Sequence, residues 1–129
     1  MISHHVRPDG LPPPNGYSQV TVASGLVVHV SGQVPVQADG EIVHGGAEAQ
    51  ADQVFRNLSR ALQAAGASWA DVVKLTFYLR DMADLSDVRM VRDRFLDPTR
   101  LPASTLVQVA GLVHPDFRLE IDAVAVIGD

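Results

Sequence analysis

The order of apolar and polar residues predicts an α/β (α+β) domain with elements β-β-β-α-β-α-β-β, in which two helices cover one face of a mixed sheet. Three segments carry that prediction. Between Ala47 and Ala65, Val54, Leu58, Ala61, Leu62 and Ala65 recur at i, i+4, i+7, i+8 and i+11, the stripe of an amphipathic helix. In Val72–Leu79, Val73, Leu75, Phe77 and Leu79 alternate with Val72, Lys74, Thr76 and Tyr78, the period of a strand with one buried face. From Phe117 to Val126, Phe117, Leu119, Ile121, Ala123 and Ala125 share one face, while Arg118, Glu120, Asp122, Val124 and Val126 share the other.

The remaining elements follow from turn and breaker residues. Pro8, Pro12, Pro13 and Pro14 make residues 1–16 an extended surface arm unable to enter a sheet interior, and residues 17–129 form the single domain. Tyr17–Ala23 and Leu26–Ser31 read as a hairpin turned at Ser24-Gly25. After Asp39-Gly40, Ile42 and Val43 suggest a short third strand. Gly66 supplies the residue that follows a helix C-cap. Asp84 is the expected N-cap of a second helix that turns Leu85, Val88, Val91 and Phe95 inward and stops before Pro98. A strand through Thr105, Val107 and Val109 then precedes the last one. The second face of the sheet combines Glu120, Asp122, Lys74 and Tyr78 with Val124 and Val126, a mixture suited to partial burial against another subunit.

Composition narrows the function classes. A chain of 129 residues matches one domain, and its 47% hydrophobic content suggests apolar surface left for self-association. With no cysteine, disulfides, thiolate metal sites and a cysteine nucleophile are excluded. No run is long and apolar enough for a spanning helix and no signal peptide is evident, so no membrane partner and a cytoplasmic location are expected. A net charge of −5 argues against nucleic acid. Arg80, Arg89, Arg92, Arg94 and Arg100 cluster, but Asp81, Asp84, Asp87, Asp93 and Asp97 are interleaved, which reads as a solvated helix face.

Few residues point to chemistry by pattern alone. Glu120 and Asp122 project from one strand face, where a carboxylate could serve as acid or base, although a salt-bridged sheet face is the simpler reading. The histidines at 4, 5, 29, 44 and 114 lack metal-ligand spacing, so no metal is expected. No Gly-x-Ser-x-Gly elbow or phosphate-binding glycine fingerprint appears, and Gly45-Gly46 reads as a turn. Trp69 is expected to pack on the end of the first helix.

Taken together, Val30-Ser31-Gly32-Gln33-Val34-Pro35, the stretch Ala64-Ala65-Gly66 to Asp71-Val72-Val73-Lys74, Leu101-Pro102-Ala103-Ser104 and Leu119 to Val126 closely resemble the RidA (YjgF) family. The likeness runs from Tyr17 to the C-terminus. It implies a chorismate-mutase-like fold, a homotrimer with small-molecule clefts at the subunit interfaces, no cofactor and no metal. It also implies hydrolysis of reactive enamines and imines to 2-keto acids and ammonia. Carried over by position, Tyr17 lines the cleft, Ser31 and Gly32 form a turn beside the ligand, and Glu120 orients or activates water. Thr105 and the Leu106 amide join the ligand-binding set.

The carboxylate-clamping arginine implied by the resemblance falls at Ser104, within Pro102-Ala103-Ser104-Thr105, and Arg89 falls where an asparagine contributes to the cleft. A hydroxyl replaces neither the charge nor the fork of a guanidinium. Two readings stay open. Either Arg89 or Arg100 restores the charge and leaves an enzyme of shifted geometry, or the cleft takes a different ligand and 2-imino acid deamination is absent. The second is favoured, because a side chain rooted elsewhere rarely reproduces clamp geometry. The alternative to an enzyme is a non-catalytic small-molecule-binding or regulatory protein. The ribonuclease label used within the family is disfavoured by the acidic charge.

Overall fold

The computed structural model describes residues 1–128. Its strands are β1 (Ile2–His5), β2 (Val20–Ala23), β3 (Leu26–Gln33), β4 (Val72–Leu79), β5 (Ala103–Gln108) and β6 (Leu119–Ile127), and its helices α1 (Ala47–Ala64) and α2 (Leu85–Phe95). Strands β3, β6, β4 and β5 form a mixed sheet in that spatial order. β6 runs antiparallel to both neighbours and β5 is parallel to β4. Two parallel steps, β3-α1-β4 and β4-α2-β5, need crossovers, and each crossover is a helix laid on the same face.

That face is the core. Leu75, Phe77 and Leu79 of β4 and Leu119, Ile121, Ala123 and Ala125 of β6 are buried against Val54, Phe55, Leu58 and Leu62 of α1 and Val88 and Val91 of α2. Phe55 stacks on Phe95 at 5.2 Å between ring centroids and meets Trp69 at 5.6 Å. The Trp69 indole N–H donates to Ser59 Oγ at 2.8 Å, tying the link before β4 to α1 as the sequence suggested. Each fully buried side chain of this kind contributes about 1.5–3 kcal/mol.

The alternating partners face the other way with no helix over them. Lys74, Thr76 and Tyr78 share that side with Glu120, Asp122 and Val124 of β6 and with Thr105 and Val107 of β5. Tyr78 Oη donates to Asp122 Oδ2 at 2.9 Å, and Lys74 Nζ donates to Thr105 Oγ1 at 2.8 Å.

Four expectations are corrected. Tyr17–Ala23 and Leu26–Ser31 do not form a hairpin with each other: β2 pairs with β1 in a separate two-stranded sheet, and β3 pairs with β6. The backbone at Ser24-Gly25 passes from one sheet to the other, with Gly25 against the Ile127 carbonyl. The first residues of the arm are consequently a strand, while the proline-rich stretch remains irregular. Ile42 and Val43 make only an isolated bridge, Val36 to Ile42, closed by the Asp39 turn whose carboxylate accepts from Glu41 N–H at 3.0 Å. Asp84 does not cap α2 with its side chain, because a 3-10 turn, Met82–Asp84, starts the helical path earlier; Asp81 accepts from Ala83 N–H at 2.9 Å, and Asp84 pairs with Arg118. Among the described residues no helix is long and apolar enough to cross a membrane.

Candidate functional site

A cavity of about 220 Å³ opens where α2 meets the edge strand β5. Ser104 and Leu106 pair in register with Leu75 and Phe77, so both turn towards the helix side, and because β5 is an edge strand that side is not sealed. α2 adds Val88, Arg89 and Arg92, one turn of helix, and Phe77 forms the floor. The last wall is the segment Asn15 to Ser18. Ser18 N–H donates to the Pro102 carbonyl at 2.9 Å and residue 18 bridges Ala103, which brings Tyr17 beside Ser104.

The cavity is electropositive. Arg89 is half-buried, and its guanidinium takes no hydrogen-bond partner among the described residues. Arg92 is buried and engaged: Nε donates to Asp93 Oδ1 at 2.9 Å and Nη1 to the Asn15 carbonyl at 3.2 Å. Arg100 lies apart, donating to the Ala70 carbonyl at 3.2 Å.

The other residues singled out by sequence stand on the opposite face of the sheet. Glu120 pairs across with Tyr78, whose neighbours Phe77 and Leu79 face the helices. Ser31 and Gly32 form a bulge between Val30 and Gln33 of β3, and a methyl group on Gly32 would collide with the Glu120 carboxylate, so only glycine lets that side chain lie across the backbone. Thr105 is on this side as well. The Tyr78 hydroxyl is pushed above its ordinary pKa of 10.0, first by its bond to Asp122, then by burial and by the charges of Asp122 and Glu120. Tyr17, Arg89, Ser104 and Leu106 are therefore gathered in one place, and Glu120, Gly32 and Ser31 in another, with β4 between the strands that carry Ser104 and Glu120.

Sequence reasoning missed Arg92 and Asn15. Its interleaved acidic neighbours make Arg92 look like part of a solvated face, but it lies four residues after Val88 and three before Phe95, on the inward stripe, and that spacing is the available signal. A larger depression of about 470 Å³, lined by Gly45, Gly46, Arg80 and Arg118, holds neither half of the expected site. Its arginines are already bound, Arg118 to Asp84 and Arg80 to the Pro115 carbonyl.

Residues 9–127 match the family model described as Endoribonuclease L-PSP. The chain belongs to this family. It is 38% identical over 126 residues to the 3-aminoacrylate deaminase RutC of Acinetobacter baylyi, covering 97% of this chain and 98% of that protein. It is 33% identical over 129 residues to the human 2-iminobutanoate/2-iminopropanoate deaminase, covering 99% and 90%. A crystal structure of the Rid family protein YyfB from Yersinia pestis superimposes with a TM-score of 0.87 at 32% identity, covering 98% of each chain. The α+β fold is thus that of the RidA/YjgF structures, and the family includes members named for deamination of an enamine and of imines.

Proposed function

We propose that the protein hydrolyses the C=N bond of a small carboxylate-bearing imine, or of the enamine that tautomerises to it, in a cleft completed between two copies of the chain. The observation that carries this reading is the presence of Arg89 in the same cavity as Ser104. A guanidinium on α2 supplies the charge that β5 lacks, and without an internal partner it is available to a substrate carboxylate. Ser104 adds a hydroxyl, Tyr17 packs along the ligand, and the Leu106 side chain, beyond the amide expected of it, closes the apolar end. The shift from strand to helix fits a substrate seated differently from that of an arginine rooted on β5.

Glu120 cannot serve the cavity of its own copy. Two strand spacings, about 10 Å, and the thickness of the sheet separate them. Packing the bare face of one copy against the β5 edge of the next would set Glu120 opposite Arg89, and a closed ring of such heterologous contacts is the homotrimer implied by the family resemblance. The Glu120 carboxylate then takes a proton from water as its oxygen adds to the imine carbon. Returning that proton to nitrogen completes the carbinolamine; Glu120 then takes the carbinol O–H proton and passes it to nitrogen as the C–N bond breaks, so ammonia leaves and the C=O of a 2-keto acid remains. The reaction consumes one water and needs no redox partner.

The test uses 2-imino acids generated by an amino-acid oxidase, with semicarbazide trapping whatever imine survives. The wild-type protein is expected to reduce trapped imine, E120Q to lose about 10²–10⁴-fold in kcat, and R89M to lose mainly in KM. A wild-type protein that accelerates loss of no 2-imino acid would leave the binding or regulatory reading in its place.

A further inference from the structure

We propose that Arg92 is a positioning residue: its buried guanidinium latches Asn15 and Gly16 against α2 and so sets the Tyr17 ring in the cavity wall. The inference rests on reading that cavity as the ligand site, and it concerns a residue that touches Tyr17's segment and is not assigned a role in the chemistry.

Burying a guanidinium is costly unless its donors are satisfied, so the partners of an arginine only 8% exposed indicate its role. Besides Nε on Asp93, Nη1 donates to the Asn15 carbonyl at 3.2 Å and Nη2 reaches Asn15 Oδ1 at 3.5 Å. Two of its three nitrogens thus address one residue, 77 positions away in the chain. Gly16 follows with φ +72, and a side chain there would run into the guanidinium. The segment passes so close to Arg92 that only a hydrogen fits between them. On the other side of Tyr17, Ser18 is fixed to Pro102 and Ala103. Tyr17 is therefore held from both sides, by the helix that carries Arg89 and by the strand that carries Ser104. Since Asn15 and Asp93 occupy its donors, Arg92 is less available to a ligand than Arg89.

The chain has only two tyrosines, Tyr17 and Tyr78, so a single Tyr17→Phe spectrum assigns the ring signals of a tyrosine-labelled protein. In R92M the Tyr17 signals are expected to move towards the position of free tyrosine, and further than those of Tyr78, which stands on the opposite face of its own sheet. Binding of 2-oxobutanoate, a small 2-keto acid used as the probe, is expected to weaken roughly tenfold. G16A should reproduce both effects, and the R92M/G16A double variant should be no weaker than the worse single, since both break the same latch. R92K keeps the charge without the fork and should resemble R92M; N15G should shift Tyr17 less, in the same direction.

Tyr17 signals that coincide with wild type in R92M and G16A would overturn the proposal, whatever happens to affinity. A loss of affinity with an unmoved ring would assign Arg92 to the ligand instead. If R92M does not fold, R92K and N15G give the same reading. Should wild-type protein fail to bind 2-oxobutanoate, the ligand-site reading falls while the ring signals still decide the latch.

Discussion

The two faces of the central sheet are made from the same strands with opposite chemistry. Towards the helices, β4 and β6 present Leu75, Phe77, Leu79, Leu119 and Ile121, all at most 2% exposed. On the bare face the intervening residues are Lys74, Thr76, Tyr78, Glu120, Asp122 and Val124, none fully buried. The difference separates two tasks. The covered face holds the fold together, and the bare face, too polar for a core and too apolar in places for water, is the one on which the proposed contact and chemistry rest. The sharpest way to break this division is to truncate an apolar side chain on each side. Phe55→Ala empties the centre of the aromatic cluster and is expected to cost about 3–5 kcal/mol in a urea titration. Val124→Ala, at the same protein concentration, should cost less than about 1 kcal/mol. Equal losses would mean that the bare face belongs to the fold of the single chain.

The division also bears on catalysis, because each face carries half of the proposed site. If Arg89 of one copy works with Glu120 of another, R89M and E120Q, each defective alone, should complement when unfolded together and refolded as a mixture. Random assembly from equal parts leaves about one quarter of the sites with both residues intact, and imine hydrolysis should recover to about that fraction of wild type. Recovery near zero, with mixed assemblies demonstrated by mass, would place both residues in the service of a single chain.

How much of this was legible beforehand differed between the two faces for physical reasons. Helix α1, strand β4 and strand β6 each carry their own periodicity, so local sequence sufficed to find them and to sort Glu120 and Asp122 from Leu119 and Ile121. Strand partners are a non-local matter. Tyr17–Ala23 and Leu26–Ser31, adjacent in sequence and separated by a turn-like Ser24-Gly25, pair instead with β1 and β6. The candidate site residues came from resemblance, which says nothing of where on the sheet each one stands. Alternation along β5 already put Ser104 and Thr105 on opposite faces, and only the register with β4 tells which of them meets Arg89. Arg92 was hidden by its charge, since a guanidinium on an inward stripe is decided by whether Asn15, far away in the chain, arrives to accept its hydrogen bonds.

The smallest expected effect lies on the bare face and concerns Tyr78. Its hydroxyl donates to Asp122, and ionising it would lose that bond and place a third negative charge beside Asp122 and Glu120. The folded protein therefore holds the Tyr78 proton more tightly than the unfolded chain does. The stability this provides is complete below the unfolded value near 10.0 and is lost as pH rises through the higher folded value, so the whole window lies above pH 10. Neutral-pH stability is consequently indifferent to this titration. In an alkaline titration followed by phenolate absorbance, the wild-type protein should show a component above the ordinary tyrosine range that disappears in Y78F, leaving Tyr17. If the bare face is an interface between copies, the same alkaline window should also loosen the assembly in wild type, with the step absent from Y78F when sedimentation is measured across it. A Tyr78 that titrates at the ordinary value would show that its bond to Asp122 does not persist in solution, and the polar half of the comparison would lose a side-chain pair that ties β4 to β6.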